Sequence, residues 1–222
     1  SATLGIASNF SFWMRRNGVL FEDKERILQG MFESPFPYNK NVTFALPTDA
    51  VSPDEFTFQS YIEDTLPLLI KASDGRTLVL FTSYESLKSA YDACFSTLLA
   101  SGINLFKQGD DDRFKLLEKF KNNVNSVLFG TYSFWEGVDV PGESLSHVII
   151  VKLPFGVPTD PVFAARGESI NKRGGNAFME LSVPEAVIKF RQGFGRLMRK
   201  STDRGVVTVL DKRLITKRYG SI

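Results

Sequence analysis

Residues 126–133, SVLFGTYS, join a short apolar run to a polar turn. The run at 126–129 is typical of a buried strand. Gly130, Thr131 and Ser133 follow it with backbone N–H groups and hydroxyls at the carboxyl end of that strand. Ligands of open α/β sheets bind at this edge. The stretch therefore predicts a sheet edge at which Thr131 and Ser133 can contact a ligand.

Strand and helix patterns alternate on both sides of this stretch. Strands are predicted at 41–46, 77–81, 103–106, 126–129, 146–153 and 206–210. Helices are predicted at 54–71, 84–100, 110–121 and 158–173, with two further helices at 10–19 and 22–32 in the less regular first fifty residues. Such alternation indicates a mostly parallel central sheet covered on both faces, an α/β/α sandwich of three layers.

A second polar stretch, residues 192–199 (QGFGRLMR), has the spacing Q-x-x-G-R-x-x-R. At about 100° per residue, Gln192, Arg196 and Arg199 would share one face of a helix, with apolar residues on the opposite side. Gly195 lies beside that face and permits close approach to the backbone. Two guanidinium groups on a rigid face suit a polyphosphate. The alternative is a solvated basic face or a set of surface ion pairs.

Composition limits the remaining classes of function. The 222 residues carry a formal net charge of +2, which weakly favours an anionic partner, and they suffice for one sizeable core. No signal peptide or apolar run long enough to cross a membrane is found, so we expect an intracellular, bacterial-like cytoplasmic protein with no membrane partner.

The single cysteine, Cys94, excludes an internal disulfide and is expected to be a core thiol. His147 has no ligand cluster nearby in sequence, so no metal site is predicted.

The two polar stretches, in this order, resemble motifs V and VI of superfamily 2 helicases. The motif V stretch continues through 133–139 (SFWEGVD), in the form found in the DinG/XPD-like group. Other segments similar to that group are SATL at 1–4 (motif III), LFTSY at 80–84 (motif IV), FKQG at 106–109, LPFGVP at 153–158, and the ending at 203–213.

This resemblance implies a RecA-like helicase C-terminal domain at 51–222, preceded at 1–50 by the end of motif III and a lead-in segment from a first motor domain. The sequence contains no G-x-x-x-x-G-K-[ST] loop and no Asp-Glu-x-His motif. The resemblance therefore implies that ATP and Mg²⁺ are held mainly by the first motor domain of the same protein. One cysteine cannot hold an iron–sulfur cluster, so none is expected in this chain.

The resemblance also implies roles for individual residues. Arg196 and Arg199 are candidate arginine fingers, and Gln192 would sense the γ-phosphate or its attacking water. Coupling of the ATP site to DNA is implied for Glu136, Gly137, Asp139 and Gly195. Asp139 could instead stabilise a turn, and Gly137 could serve the backbone alone.

Contacts to the backbone of single-stranded DNA are implied for Ser83, Thr131 and Ser133, and less strongly for Gln108, for which a plain surface role is equally consistent. Phe134 and Trp135 could stack on bases, or they could pack in the core or at an interface.

The sequence thus predicts the second motor domain of an ATP-dependent DNA helicase with 5′→3′ polarity and a role in DNA repair or replication. The isolated chain is expected to be inactive as an ATPase. One alternative is a non-catalytic nucleic-acid-binding or interaction module that keeps the motor fold. A second is a Rossmann-like nucleotide-sugar or transferase domain, but residues 74–76 do not supply the glycine-rich turn that it requires.

Overall fold

The structure, a computed structural model, describes residues 5–6, 9–135, 140 and 143–222. It divides into two compact units. One contains the described residues of Ser1–Pro35 together with Pro154–Arg191 and Ser221–Ile222. The other contains the described residues of Phe36–Leu153 together with Gln192–Gly220. We call these the helical unit and the sheet unit. The predicted boundary at residue 50 stays a prediction.

The sheet unit is built on six strands. They are β1 (Val42–Ala45), β2 (Thr77–Leu80), β3 (Asn104–Lys107), β4 (Ser126–Gly130), β5 (His147–Ile150) and β6 (Gly205–Val209). Their order across the sheet is β1-β6-β5-β2-β4-β3, and every neighbouring pair is parallel. The predicted α/β fold with a parallel sheet is confirmed, and all carboxyl ends therefore lie at one edge.

The α-helices of the described residues are α1 (Ser11–Arg16), α2 (Tyr38–Asn41), α3 (Phe58–Ala72), α4 (Tyr84–Leu99), α5 (Arg113–Asn122), α6 (Tyr132–Trp135), α7 (Pro161–Lys172), α8 (Val183–Phe194) and α9 (Arg213–Thr216). Shorter turns of 3₁₀-helix lie at Val19–Phe21, Lys24–Arg26 and Arg218–Ser221, and a π-helix at Phe178–Ser182 precedes α8.

The core of the sheet unit follows from the two periodicities of strand and helix. Alternate strand residues such as Val79 in β2 and Phe129 in β4 point to the face that α3 and α4 cover. The helices contribute buried residues spaced four apart along the chain. Ile62 and Leu66 of α3, both fully buried, are an example. Cys94 of α4 belongs to this core, as predicted, and burial raises the pKa of its thiol to about 12.

Two of the predicted helices near the amino terminus differ from the structure. The helix predicted at 22–32 is wrong, because only Lys24–Arg26 forms a 3₁₀ turn there. The helix predicted at 10–19 is shorter and ends at Arg16. Leu28 and Phe32 are exposed, so the apolar residues that suggested a helix at 22–32 do not pack on a core. Short helices without such packing are marginal in water.

Ion pairs join separate segments of the helical unit. Arg15 of α1 lies 3.1 Å from Glu180, which also pairs with Arg173 at 2.6 Å. Arg16 pairs with Glu185 of α8 at 2.5 Å. Helix α7 has no buried residue. Across the described part of the chain, no helix combines the length and apolarity needed to span a bilayer.

Candidate functional site

The carboxyl edge of the sheet gathers several of the residues that the sequence singled out. Gly130 at the end of β4 pairs with Leu80 at the end of β2, and Lys107 at the end of β3 pairs with Phe129. The ladder continues one step further, since Gln108 N–H donates to Phe129 O at 2.9 Å. The predicted DNA contacts Ser83, Gln108 and Thr131 therefore follow neighbouring strands.

Gln108 and Thr131 are bound to each other. The side-chain oxygen Oε1 of Gln108 accepts hydrogen bonds from the backbone N–H of Thr131 at 2.8 Å and from its hydroxyl at 2.9 Å. Both residues are half-buried. A glutamine here fixes the first residue of the turn after β4, which is a role that its sequence position alone did not reveal.

Ser83 and Ser133 are both exposed at this edge. The hydroxyl of Ser83 caps α4 by accepting from Ser86 N–H at 3.3 Å, as is common for serine at a helix N-terminus. The carbonyl of Ser133 accepts from Arg113 Nε at 3.0 Å. Both hydroxyl-bearing side chains remain accessible to a nucleic-acid backbone.

Phe134 and Trp135 belong to the core, which corrects the alternative that they stack on bases. Each is about 1% exposed. The indole N–H of Trp135 donates to Phe81 O at 3.1 Å, so the ring is fixed below the end of β2. A buried tryptophan needs such a partner for its N–H.

The stretch Q-x-x-G-R-x-x-R does not form one helical face, contrary to the sequence prediction. Helix α8 ends at Phe194, and Arg196 and Arg199 lie in the turn that follows. The turn is closed by a hydrogen bond from Arg196 N–H to Gly193 O at 3.1 Å. Glycine at 193 and 195 lowers helix propensity at this point, which favours the ending.

The expected apolar side of this stretch is partly confirmed, since Leu197 and Met198 are buried. They reach the core from the turn rather than from a helix. Gly193 allows close packing, because a Cβ atom there would lie 2.9 Å from Trp135 Cε3 and 3.1 Å from Leu80 Cδ1.

Arg196 connects the two polar stretches. Its Nε donates to the carbonyl of Trp135, the last described residue of α6, at 3.0 Å. The motif V and motif VI stretches are therefore in direct contact within the sheet unit, and a half-buried guanidinium is held beside α6.

Arg199 lies over its own turn. Its Nη1 donates to Gly195 O at 3.0 Å, while its backbone N–H donates to the carboxylate of Asp203 at 2.8 Å. Asp203 also accepts from Lys200 N–H at 2.7 Å, so one carboxylate orders the turn. Burial raises the pKa of Tyr38, and the positive charge of Arg199 partly offsets this rise.

The side-chain amide of Gln192 lies near the end of α8, before this turn. Its Oε1 atom is buried and has no hydrogen-bond partner among the described residues. Leaving such a group unsatisfied costs about 1–3 kcal/mol. The amide is therefore suited to a polar group from a ligand or from water.

Asp211 is a buried carboxylate that the site prediction did not include. It is fully buried just after β6, and it accepts from Leu153 N–H at 2.9 Å and from Arg213 Nη2 at 2.8 Å. It joins the chain after β5 to the end of β6. The signal was an acidic residue directly after an apolar strand and next to Lys212 and Arg213.

Three predicted residues, Glu136, Gly137 and Asp139, lie outside the described residues. Over the described part of the chain, no group of three or more His, Cys, Asp or Glu side chains is arranged to hold a metal ion. The groups that the turn does offer, two guanidiniums and one amide, fit phosphate oxygens and water rather than a divalent cation.

The opposite edge of the sheet is also polar, and it contains His147. Its Nδ1 lies 3.1 Å from Ser73 Oγ, and its Nε2 lies 2.8 Å from Thr208 Oγ1. Burial lowers the pKa of His147 from 6.5 to about 4. Its partners, two hydroxyls and the backbone of Leu69, are uncharged, so the histidine is a neutral structural residue.

Comparison with known proteins identifies the family of this domain. Residues 66–222 match the model of the helicase C-terminal domain family. The chain is 39% identical over 229 residues to the 3′-5′ exonuclease DinG of Bacillus subtilis, and 40% identical over 224 residues to the ATP-dependent DNA helicase DinG of Photobacterium profundum. These matches cover 100% and 99% of this chain but 24% and 32% of the relatives, so the chain spans about a quarter to a third of their length.

Solved structures show the same fold. An XPD helicase structure aligns over 81% of this chain and 33% of its own with a TM-score of 0.60 at 19% identity. A Saccharomyces cerevisiae Dbp5 structure bound to RNA and ADP BeF₃ aligns over 97% of this chain and 48% of its own, with a TM-score of 0.55 at 16% identity.

The chain is therefore a RecA-like α/β domain of the helicase C-terminal class. Within that class it belongs to the DinG/XPD-like family of helicase C-terminal domains.

Proposed function

We propose that this chain is the second motor domain of an ATP-dependent DNA helicase. In this proposal it supplies Arg196 and Arg199 to ATP held by a first motor domain of the same protein. The observation that carries the proposal is the hydrogen bond from Arg196 Nε to Trp135 O, which links the turn after α8 to the polar edge of the sheet.

The chemistry needs positive charge at the transferred phosphoryl group. An arginine brought to the γ-phosphate from across an interface stabilises the charge that develops there. The Nε of Arg196 donates to Trp135 O at 3.0 Å, which holds the guanidinium at this turn. Gln192 Oε1, buried and without a described partner, is suited to accept a hydrogen bond from the attacking water.

The remaining parts of the ATP site belong, in this proposal, to the first motor domain. Mg²⁺ bound there neutralises charge on the β- and γ-phosphates. Arg196, Arg199 and Gln192 complete the site on the side of this chain. Gly195 keeps the turn compact by accepting from Arg199, and Glu136, Gly137 and Asp139 are proposed to couple the ATP site to DNA. The isolated chain is expected to hydrolyse no ATP.

The DNA track is proposed along the carboxyl edge of the sheet. Ser83 and Ser133 are exposed, and Thr131 lies on a turn that Gln108 fixes. Neutral hydroxyl and amide donors bind phosphates without distinguishing the base sequence. This suits a motor that moves on single-stranded DNA. The 5′→3′ polarity and a role in repair or replication form part of the same proposal.

The proposal is tested by ATPase assays on the protein in which this chain follows its first motor domain. We expect hydrolysis that single-stranded DNA stimulates at least tenfold and that the isolated chain lacks. Absence of stimulation would instead support a non-catalytic nucleic-acid-binding module. Loading the motor on duplexes with a 5′ or a 3′ single-stranded tail then tests the polarity, since only the 5′ tail should support unwinding.

A further inference from the structure

The short segment 131–133 is held from two sides. Gln108 binds Thr131 at one end, through two hydrogen bonds to the same side-chain oxygen. Arg113 binds the other end, since its Nε donates to the Ser133 carbonyl at 3.0 Å. The guanidinium carbon of Arg113 also lies 5.7 Å from the centroid of the Phe134 ring. Arg113 lies outside every motif that the sequence singled out and was not among the predicted site residues.

The position of Arg113 follows from the start of α5. Asp112 caps this helix by accepting from Lys115 N–H at 3.0 Å, which makes Arg113 the first helical residue. The two neighbouring carboxylates have lysine partners, with Lys115 3.3 Å from Asp112 and Lys119 3.0 Å from Asp111. The Nε of Arg113 donates to the carbonyl of Ser133, in the segment after β4.

The described part of α6 is a single turn, Tyr132–Trp135. One turn gains few internal hydrogen bonds, so contacts outside the helix contribute to its position. Its buried half is fixed by Phe134 and Trp135 in the core. Its exposed half, which includes Ser133, is fixed by Arg113.

We propose that Arg113 is a positioning residue for DNA binding. It holds the Ser133 carbonyl, and together with Gln108 it sets the hydroxyls of Thr131 and Ser133 at the spacing needed to contact phosphates of single-stranded DNA. This inference rests on the proposed function of the carboxyl edge as a DNA track.

A positioning role and a direct phosphate contact differ in their salt dependence. A cation that neutralises a phosphate contributes about 0.7 to the slope of log K against log salt concentration for single strands. Loss of a neutral hydroxyl contact lowers affinity at every salt concentration and leaves the slope unchanged. Substitution of Arg113 therefore separates the two roles.

The experiment measures binding of a fluorescent oligothymidylate by anisotropy over a range of salt concentrations, with the protein that carries both motor domains. We expect Arg113→Ala to weaken binding about fivefold, the effect of one lost hydrogen-bonded contact, with the slope unchanged. Arg113→Gln, which keeps part of the side-chain stem, should behave in the same way. A slope that falls by about 0.7 would overturn the positioning role.

A double-mutant cycle with Ser133→Ala tests whether Arg113 acts through Ser133. The Ser133 substitution removes the hydroxyl and leaves the carbonyl that Arg113 binds. We expect the double variant to bind no more weakly than the weaker single variant. Multiplication of the two losses would contradict the proposal.

Lys119→Ala is the matched control, because it removes one charge from the exposed side of the same helix, and its affinity should stay within twofold of wild type. If the wild-type protein binds no single-stranded DNA, the proposed function fails. If the wild type binds and Arg113→Ala binds equally well, only this inference fails.

Discussion

The two edges of the parallel sheet differ in how they use their polar groups. At the amino edge, His147 is enclosed by the hydroxyls of Ser73 and Thr208, and all three are held within the fold. At the carboxyl edge, Ser83 and Ser133 are exposed, and the side-chain oxygen of Gln192 is buried without a described partner.

The comparison teaches how to separate structural from functional polar residues in one domain. Polar groups that are buried and mutually satisfied specify the fold, because loss of a partner leaves a costly unsatisfied group. Polar groups that are accessible, or buried without a partner, are available for a ligand. By this criterion the carboxyl edge is the candidate site and the amino edge is part of the scaffold.

The largest effect is expected from Arg199. In the protein with both motor domains, Arg199→Ala should lower DNA-stimulated ATP hydrolysis about a thousandfold or more, the effect of losing an arginine finger. Binding of single-stranded DNA should stay within about threefold. Steady-state ATPase and anisotropy measurements check this, with Lys200→Ala as a neighbouring control. Near-normal turnover would remove Arg199 from the ATP site.

The amino edge should respond to pH through His147. The pKa of His147 is about 4 in the folded chain, and in the unfolded chain we take the ordinary value of 6.5. Between pH 4 and 6.5 the unfolded chain therefore binds more protons than the folded chain. The free energy of unfolding should therefore fall by about 3 kcal/mol as pH drops from 6.5 to 4. Urea unfolding at several pH values measures this.

His147→Gln is the control for the pH effect, because glutamine keeps hydrogen-bonding groups but does not titrate. The dependence assigned to His147 should disappear in this variant. If the wild type and the variant lose stability in parallel over this range, the histidine is not buried in its neutral form.

A smaller effect is expected from Gly193. Gly193→Ala places a methyl group against Trp135 and Leu80, and overpacking of this kind costs about 1–3 kcal/mol. Gly167→Ala in α7 is the matched substitution, since the nearest atom to its new Cβ would be Ala177 Cβ at 3.6 Å. That variant should be neutral or gain up to about 1 kcal/mol. Thermal or urea unfolding of both variants measures the difference, and equal stabilities would show that α8 does not pack tightly there.

The sheet could be predicted because its strands are short apolar runs whose pattern depends only on local sequence. The end of α8 could not, since Leu197 and Met198 continue the helical spacing of apolar residues after the backbone has left the helix. The prediction of a helix at 22–32 was wrong for a different reason. The apolar residues of this segment have helical spacing but do not pack on a core.

The candidate site shows the same limit. Ser83 and Thr131 could be placed at the edge from their positions after apolar strands. The pairing of Gln108 with Thr131 and the contact of Arg196 with Trp135 join residues 23 and 61 positions apart. Arg113 had no signal, since an arginine at a helix start is unremarkable until the partner is known.

The most direct test of the central claim compares wild type, Arg196→Ala and Lys200→Ala in the protein with both motor domains, by ATP hydrolysis with and without single-stranded DNA. The account predicts stimulated hydrolysis in the wild type and in Lys200→Ala, and its loss in Arg196→Ala with DNA binding largely kept. Stimulated hydrolysis that persists in Arg196→Ala would contradict the assignment of the turn after α8 to the ATP site.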